Sequence, residues 1–320
     1  MSQTPVSGND PVLRSAEMHL YRPTDPCVGT LVKSEICTAG RKAAGWVRHL
    51  EIDVSGTELV GRCLPGQSIG VLAEGVDAAG KPHRVRLYSL ASPAAGEDGT
   101  GAILSTTVKR TIDEHWETHG LFLGVCSNYL CDVPVGGKVR LSGPNGKRFV
   151  LPQKYDEHDY IFVATGTGIA PFRGMVLDLL KSGCTSRIVL IMGAPYATDL
   201  LYHDQFLRLQ QEYKNFRYIT AISRERNEAH DRLYVQDRLR TERDALAPVL
   251  TSGKALLYIC GLAGMELGIF QELAAQLNGE ELAYFLNVDA EALSDIRRWQ
   301  RSMIHKEVRP TRKVFMEVYA

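Results

Sequence analysis

The sequence predicts two domains in series, an antiparallel β-barrel followed by an α/β domain built on a parallel sheet. Three observations predict this. At 320 residues the chain is long for a single hydrophobic core. From about Cys27 to Leu151, short apolar stretches are broken by glycine, proline and acidic turns, the grammar of a sandwich or small barrel. From about Tyr155 strand and helix patterns alternate, which implies parallel strands with helices on the faces. We expect a tail over residues 1–24, a barrel over 25–153 and an α/β domain over 154–320.

In the tail, Met1 to about Leu20 is polar and mixed and reads as loose. The barrel strands are expected at Gly29–Ser34, Val47–Val54, Gln67–Leu72, Arg84–Leu90 and Ala102–Lys109. Ala94–Gly101, rich in glycine and acid, reads as a turn between strands. Asn128-Tyr129-Leu130 continues a helix that starts after Gly124 and ends before Pro134. Gly143-Pro144-Asn145-Gly146 has strong turn chemistry.

In the second half, Tyr160–Ala164 is a continuous apolar run, as suits a strand buried on both faces. After Pro171, the positions Phe172, Met175, Val176, Leu179 and Leu180 have helical spacing. Strands follow at Ile188–Met192, Phe216–Ile222 and Ala255–Ile259. Helices are expected over Leu200–Tyr213, after Tyr234, and over Met265–Leu277.

Composition narrows the function classes. Lys plus Arg and Asp plus Glu number 37 each, a balance that gives no sign of nucleic acid or a membrane surface. No apolar run approaches the length of a bilayer span. The first twenty residues have neither secretory-signal nor transit-peptide character, so a bacterial cytoplasm or a plastid stroma is expected. Seven scattered cysteines read as reduced thiols, and Cys126 with Cys131 is too small a set for an iron–sulfur cluster. His115 and His119 lie at i, i+4 spacing without a supporting cysteine or carboxylate motif, and no metal site is assigned.

Five short motifs and one set of polar residues carry the chemistry. Arg86-Leu87-Tyr88-Ser89 alternates on a strand, with Arg86 and Tyr88 on one face. A flavin dinucleotide needs a cation for its pyrophosphate and a flat group for its ring, and arginine and tyrosine provide them. The same stretch also fits an ordinary strand. Gly124-Val125-Cys126-Ser127 places glycine and small residues at a helix start, where free N–H groups can meet phosphate. Gly166-Thr167-Gly168-Ile169-Ala170-Pro171 directly follows the apolar strand and opens a helix, the context of a dinucleotide loop, although Ala170-Pro171 departs from the six-position glycine pattern. Ser223, Arg224, Arg232 and Tyr234 follow a strand and suit a 2′-phosphate and its adenine; Glu225 stands close by and can turn away. Cys260-Gly261-Leu262 and Glu317-Val318-Tyr319 complete the set.

Together these motifs resemble plant-type ferredoxin–NADP reductases of the plastid-type branch, over about Tyr21 to Tyr319. The likeness is densest at Gly80–Ser89, Gly124–Asp132, Gly166–Arg173 and Tyr258–Glu266. The resemblance implies an FAD-binding antiparallel β-barrel and an NADP-binding domain of Rossmann-like topology. It implies an enzyme that passes electrons between NADP(H) and ferredoxin through FAD, with hydride transfer between flavin N5 and the nicotinamide. Arg86, Leu87, Tyr88, Ser89, Gly124, Val125, Cys126 and Ser127 then fall at flavin positions. Lys109, Thr167, Ser223, Arg224, Arg232 and Tyr234 fall at NADP positions, and Gly166, Gly168, Gly261, Leu262 and Glu266 also belong to the cofactor-binding set. Ser89, Cys260, Glu317 and Tyr319 match catalytic positions. Ser89 and Glu317 would form a proton path to N5, and Tyr319 would stack on the flavin and move aside for the nicotinamide. Lys81 matches a lysine that docks acidic ferredoxin, within a basic set of Lys33, Arg41, Lys42, Lys81 and Arg84 that would suit a ferredoxin or a flavodoxin.

Two departures stand out. Ala320 follows the terminal tyrosine, and the polar loop Arg226–Asp231 makes the register of Arg232 uncertain. Rival readings keep the fold. One is an NADPH-dependent reductase serving an oxygenase or other dedicated acceptor. Another is a non-catalytic redox-sensing flavoprotein, which would be expected to lose Ser89, Cys260 or Glu317. A third is an NADH-dependent enzyme, against which Arg224 argues.

Overall fold

The computed structural model describes residues 10–38, 43–226 and 232–319. Arg41, Lys42, Ala320 and all of the Arg226–Asp231 loop after Arg226 therefore lie outside the described residues. Two compact units are present. One comprises residues 15–150 with 169–178, the other 1–14 with 151–168 and 179–320. Among the described residues no helix is long and apolar enough to cross a membrane.

The first unit holds β1 (Cys27–Ile36), β2 (Val47–Asp53), β3 (Ser68–Leu72), β4 (Arg86–Ser89), β5 (Ile103–Lys109), β6 (Ile112–Glu114), β7 (Leu121–Leu123), α1 (Val125–Asp132) and β8 (Lys138–Asn145). Six strands form one antiparallel sheet in the order β4-β3-β8-β1-β2-β5. Its two outer strands meet, because Leu90 bridges Thr106 and the Thr106 hydroxyl donates to the Ser89 carbonyl at 2.8 Å. That closure removes the exposed edges that an open sheet would leave. Inward positions such as Leu31, Leu50, Ile52, Ile69, Val71 and Leu141 fill the interior.

Gly143-Pro144-Asn145, expected in a turn, instead ends β8. Its carbonyls serve the segment before β1: Tyr21 N–H donates to Gly143 and His19 N–H to Pro144. Proline is tolerated there because only its carbonyl is used. Residues 10–22 are consequently not loose. Leu13 bridges Pro152 in one unit, while Arg62 pairs with Glu17 and Gln67 Nε2 donates to the Glu17 carbonyl in the other. His115 and His119 lie at the tip of the β6–β7 hairpin, where His119 N–H donates to the His115 carbonyl. Their i, i+4 spacing is thus a single turn and not a helix. This hairpin exposes Ile112, Trp116, Leu121, Phe122 and Leu123, Trp116 to 81%.

The second unit holds β9 (Asp159–Thr165), the C-terminal end of α2 (Ile169–Lys181), β10 (Ile188–Ala194), α3 (His203–Glu212), β11 (Phe216–Ile222), α4 (Val235–Thr241), α5 (Arg243–Leu250), β12 (Ala255–Leu262), α6 (Met265–Gln276), α7 (Gly279–Phe285), β13 (Leu286–Val288), α8 (Ala290–Leu293), β14 (Val308–Pro310) and β15 (Val314–Tyr319). Five strands pair in parallel in the order β11-β10-β9-β12-β15. Alternation along β9 sends Ile161 and Val163 into a core shared with α4, α5 and α6. Tyr160 and Phe162 point the other way into a ring cluster with Tyr258 and Phe315, the last two stacked at 4.4 Å. The excursion between α6 and β15, which the sequence reading left unassigned, buries Trp299, whose indole N–H donates to the Ala292 carbonyl at 2.8 Å.

The barrel unit also contains a charged cluster. Arg173, in the part of α2 that belongs to this unit, donates to the Ala91 carbonyl and forks onto Glu97 at 2.5 and 3.1 Å. Ser105 donates to the same carboxylate, and His49 lies 4.0 Å from it. Burial works against the Glu97 carboxylate, yet Arg173 and Ser105 hold its carboxyl below the ordinary range. Removing one member of such a pair strands the other. Arg173→Met is therefore expected to cost about 3–5 kcal/mol in urea unfolding followed by circular dichroism. A loss under about 1 kcal/mol would mean that solvent already screens the pair.

Candidate functional site

In the barrel unit the site starts from β4. Strand β4 pairs only with β3 along its length, in the register Ile69↔Tyr88 and Val71↔Arg86. Arg86 and Leu87 are exposed, whereas Tyr88 and Ser89 are half-buried. Among the described residues Arg86 has no ion-pair partner, so its guanidinium is free to meet an anion. The Tyr88 hydroxyl is raised by burial and by the neighbouring Cys126 thiol, and Arg86 opposes that shift. The three side chains therefore share one neighbourhood. Cys126 is itself buried, and its thiol donates to the Val71 carbonyl at 3.7 Å.

Gly124 opens α1 in extended geometry with no side-chain cap and no acid in the first turn. The first N–H groups of Val125, Cys126 and Ser127 are thus left for a ligand. Gly124 has a packing reason as well: a Cβ there would stand 2.7 Å from both Ser127 Oγ and Thr111 Cβ. Ser127 has its hydroxyl in the frame, accepting from Thr111 N–H and donating to the Gly124 carbonyl, both at 3.2 Å. A free arginine, an uncapped helix start and a floor without a Cβ fit a dinucleotide phosphate. Lys109 ends β5 in this same unit, its stem passing over Gly45.

The α/β unit carries its own group of candidate residues. Strand order reverses between β9 and β12, because β10 and β11 lie to one side and β15 to the other. Ligands of open parallel sheets bind at the carboxyl ends of strands beside such a switch. Here β9 ends in the tight turn Gly166–Gly168, which leads into α2 with no acid in its first turn. Gly166 has φ +53°, and Gly168 presses on the end of β12: a Cβ would lie 2.2 Å from the Cys260 carbonyl oxygen. Gly261 is similarly tight, with φ +151° and a Cβ position 2.1 Å from Thr165 Oγ1. Thr165, which the sequence reading passed over, accepts from Leu262 N–H at 2.9 Å and so joins β9 to β12. The signal for it was its place at the last strand position before Gly166.

Strand β15 brings the remaining groups. Cys260 faces Glu317 in register, and Leu262 faces Tyr319. Cys260 is buried, and burial followed by the Glu317 charge pushes its thiol up. The Glu317 carboxylate has no hydrogen-bond partner among the described residues, and burial raises it to about 7. The Tyr319 hydroxyl meets Thr167 Oγ1 at 2.8 Å and the Thr165 carbonyl at 3.4 Å, while the residue as a whole stays 39% exposed.

Of the residues expected at the nucleotide end, Ser223 and Arg224 follow β11, and Arg232 and Tyr234 precede α4. Ser223 is half-buried, and Arg224, Arg232 and Tyr234 are exposed. Arg224 has no ion-pair partner among the described residues. Glu225 is turned away, its carboxylate accepting from Ala197 N–H at 2.8 Å. Glu266 is also committed: buried, it accepts from Gly264 N–H and from Arg301 Nε, both at 2.7 Å. Its carboxylate holds the start of α6 in place, which bears on the cofactor set only through the backbone.

Known proteins share the sequence and the fold. Residues 162–270 match the model of the oxidoreductase NAD-binding domain. A ferredoxin–NADP reductase of Spirulina sp is 39% identical over 81% of this chain and 89% of its own length. The chloroplastic leaf-type isozyme of Nicotiana tabacum is 39% identical over 80% of this chain and 71% of its own. The Plasmodium falciparum ferredoxin–NADP+ reductase with 2′P-AMP has the same fold, with a TM-score of 0.69 at 21% identity, covering 96% of this chain and 100% of that one.

The raised Glu317 carboxyl has a definite sign in stability. Its contribution is full below the ordinary carboxyl range near 4.5 and is lost as pH rises through about 7, because the folded protein then carries a half-buried carboxylate. Glu317→Gln should flatten that decline in denaturation midpoints measured from pH 5 to 8. An unchanged slope would place the group in water.

Proposed function

This chain belongs to the ferredoxin–NADP reductase family, and from that premise we propose how its residues divide the work. It is an FAD-dependent oxidoreductase that moves electrons between NADP(H) and ferredoxin. The observation that carries the reading is the set at the strand ends, where an unpartnered acid, a buried thiol and a half-exposed tyrosine stand beside a glycine turn.

FAD, when bound, supplies the exchange between one-electron and hydride chemistry. Arg86 and the α1 N-terminus neutralise its pyrophosphate, and Tyr88 gives a flat wall with a polar tip. The exposed hairpin that runs into Gly124 offers a further apolar wall beside the phosphate position. Ser89 holds a proton at the flavin's reactive nitrogen, and Glu317 exchanges it. An acid raised to about 7 is matched to that task at neutral pH. Cys260 is small and polarisable, able to touch a nicotinamide without obstructing it. Ser223, Arg224, Arg232 and Tyr234 bind NADP(H), with Arg224 on the 2′-phosphate, and Tyr319 covers the flavin until the nicotinamide displaces it. The engagement of Glu225 by Ala197 supports the preference for NADP(H), since the acid that would grip a bare ribose is occupied.

Lys81 and Arg84 are exposed and free of ion pairs among the described residues, and they suit an acidic ferredoxin or flavodoxin. Lys33 is a weaker candidate because Glu35 and Glu51 already pair with it at 3.3 and 3.1 Å.

NADPH oxidation by the FAD-loaded protein, coupled to cytochrome c, should rise strongly when an acidic [2Fe–2S] ferredoxin is added. Oxidation with artificial acceptors and no ferredoxin stimulation would favour a dedicated acceptor instead. Arg224→Glu should raise KM for NADPH by about 10–100-fold, the worth of one charge-assisted contact, and leave NADH use nearly unchanged. Equal effects on both would remove the 2′-phosphate role. Ser89→Ala should slow hydride transfer by about 100-fold or more with FAD content retained; full activity would end its part in proton transfer.

A further inference from the structure

We propose that Thr167 is a latch for the tyrosine lid: its hydroxyl holds Tyr319 closed and must release it before a nicotinamide can enter. The inference rests on the reading of Tyr319 as a lid and adds the element that sets its closing strength.

The geometry is unusual in how firmly both ends are anchored. Thr167 is the middle residue of the Gly166–Gly168 turn. That turn cannot drift, because Gly168 already lies against the Cys260 carbonyl at a spacing that excludes a Cβ. On the other side, the Tyr319 backbone is fixed by its register with Leu262 and by Ala263 N–H, which donates to the Tyr319 carbonyl at 2.8 Å. Between two fixed backbones, the movable part is the Tyr319 side chain. The residue is partly exposed, and its ring can leave by side-chain rotation alone.

Closure then depends on few bonds. The Thr167 contact at 2.8 Å has the optimal length of a hydroxyl hydrogen bond, whereas the Thr165 carbonyl at 3.4 Å is a marginal acceptor. Threonine is branched at Cβ, which restricts the directions its hydroxyl can take. A single hydrogen bond of this kind biases a two-state equilibrium by roughly 3–10-fold. A nicotinamide that binds only the open state has its apparent affinity reduced by the fraction of protein that is open. The latch therefore acts on the nicotinamide end of NADP+ and not on the adenylate end.

The test compares two probes on the FAD-loaded protein by calorimetry. One is NADP+, and the other is 2′-phospho-AMP, which lacks the nicotinamide. Thr167→Val should tighten NADP+ about 3–10-fold and leave 2′-phospho-AMP unchanged. Thr167→Ser should behave as the parent protein. Tyr319→Phe, which removes only the hydroxyl, should tighten NADP+ as Thr167→Val does, and the double variant should do no more than either single one. In turnover both single variants should lower KM and kcat together. Weaker or unchanged NADP+ binding in Thr167→Val, or additive effects in the double variant, would overturn the latch. Tyr319→Ala separates the two readings. If it tightens NADP+ while Thr167→Val does not, the lid stands and the latch falls; if it does not tighten NADP+, the lid itself is wrong.

Discussion

The α/β unit depends on one close approach, the turn after β9 lying directly on the end of β12. Backbone meets backbone there, and the glycines at 168 and 261 leave no room for a side chain. Packed interiors tolerate little added volume, so this contact sets the relative height of β9 and β12. Everything chemical at the strand ends follows from that height. Thr165 reaches Leu262 and Thr167 reaches Tyr319, while the pairing of β12 with β15 brings Cys260 level with Glu317. A parallel sheet with a topological switch places such groups together without any loop having to be long.

Electrostatics divide the labour between committed and uncommitted charge. Glu97, Arg173, Glu225 and Glu266 are tied to partners and serve architecture. Among the described residues Arg86, Arg224 and Glu317 are not, and these are the groups to which the proposed function gives a ligand charge or a proton. An unpaired cation on the surface costs little, whereas an unpaired half-buried acid is disfavoured and shifts toward its neutral form. At Glu317 that cost raises the carboxyl to about 7, inside the range where an acid can exchange protons at neutral pH.

Much of this was legible in the sequence. The strands at Val47–Asp53, Ile103–Lys109 and Phe216–Ile222 carry clear β patterns, and the continuous apolar run of β9 declared a buried parallel strand. The glycine turn could be named from its place between a buried strand and a helix, whereas Cys260 and Glu317 were named only through the family resemblance. What could not be read was committed geometry. Nothing in the residue types shows that Glu225 is held by a backbone N–H or that Glu266 is spent on Gly264 and Arg301. The β6–β7 hairpin escaped because its apolar residues face outward, where periodicity carries no burial signal. The segment from α7 to β14 escaped because its elements are short and its order comes from packing on α6.

The placement of the three tryptophans gives each unit its own optical identity. Trp46 and Trp116 stand in water on the barrel unit, and Trp299 is enclosed in the α/β unit. Their emission should therefore divide into a red component that already senses solvent and a blue one that senses a dry interior. Loss of the blue component alone would mark the α/β unit opening while the barrel remained intact. The molecule thus carries a native fluorescence ruler for the cooperativity of its own two halves.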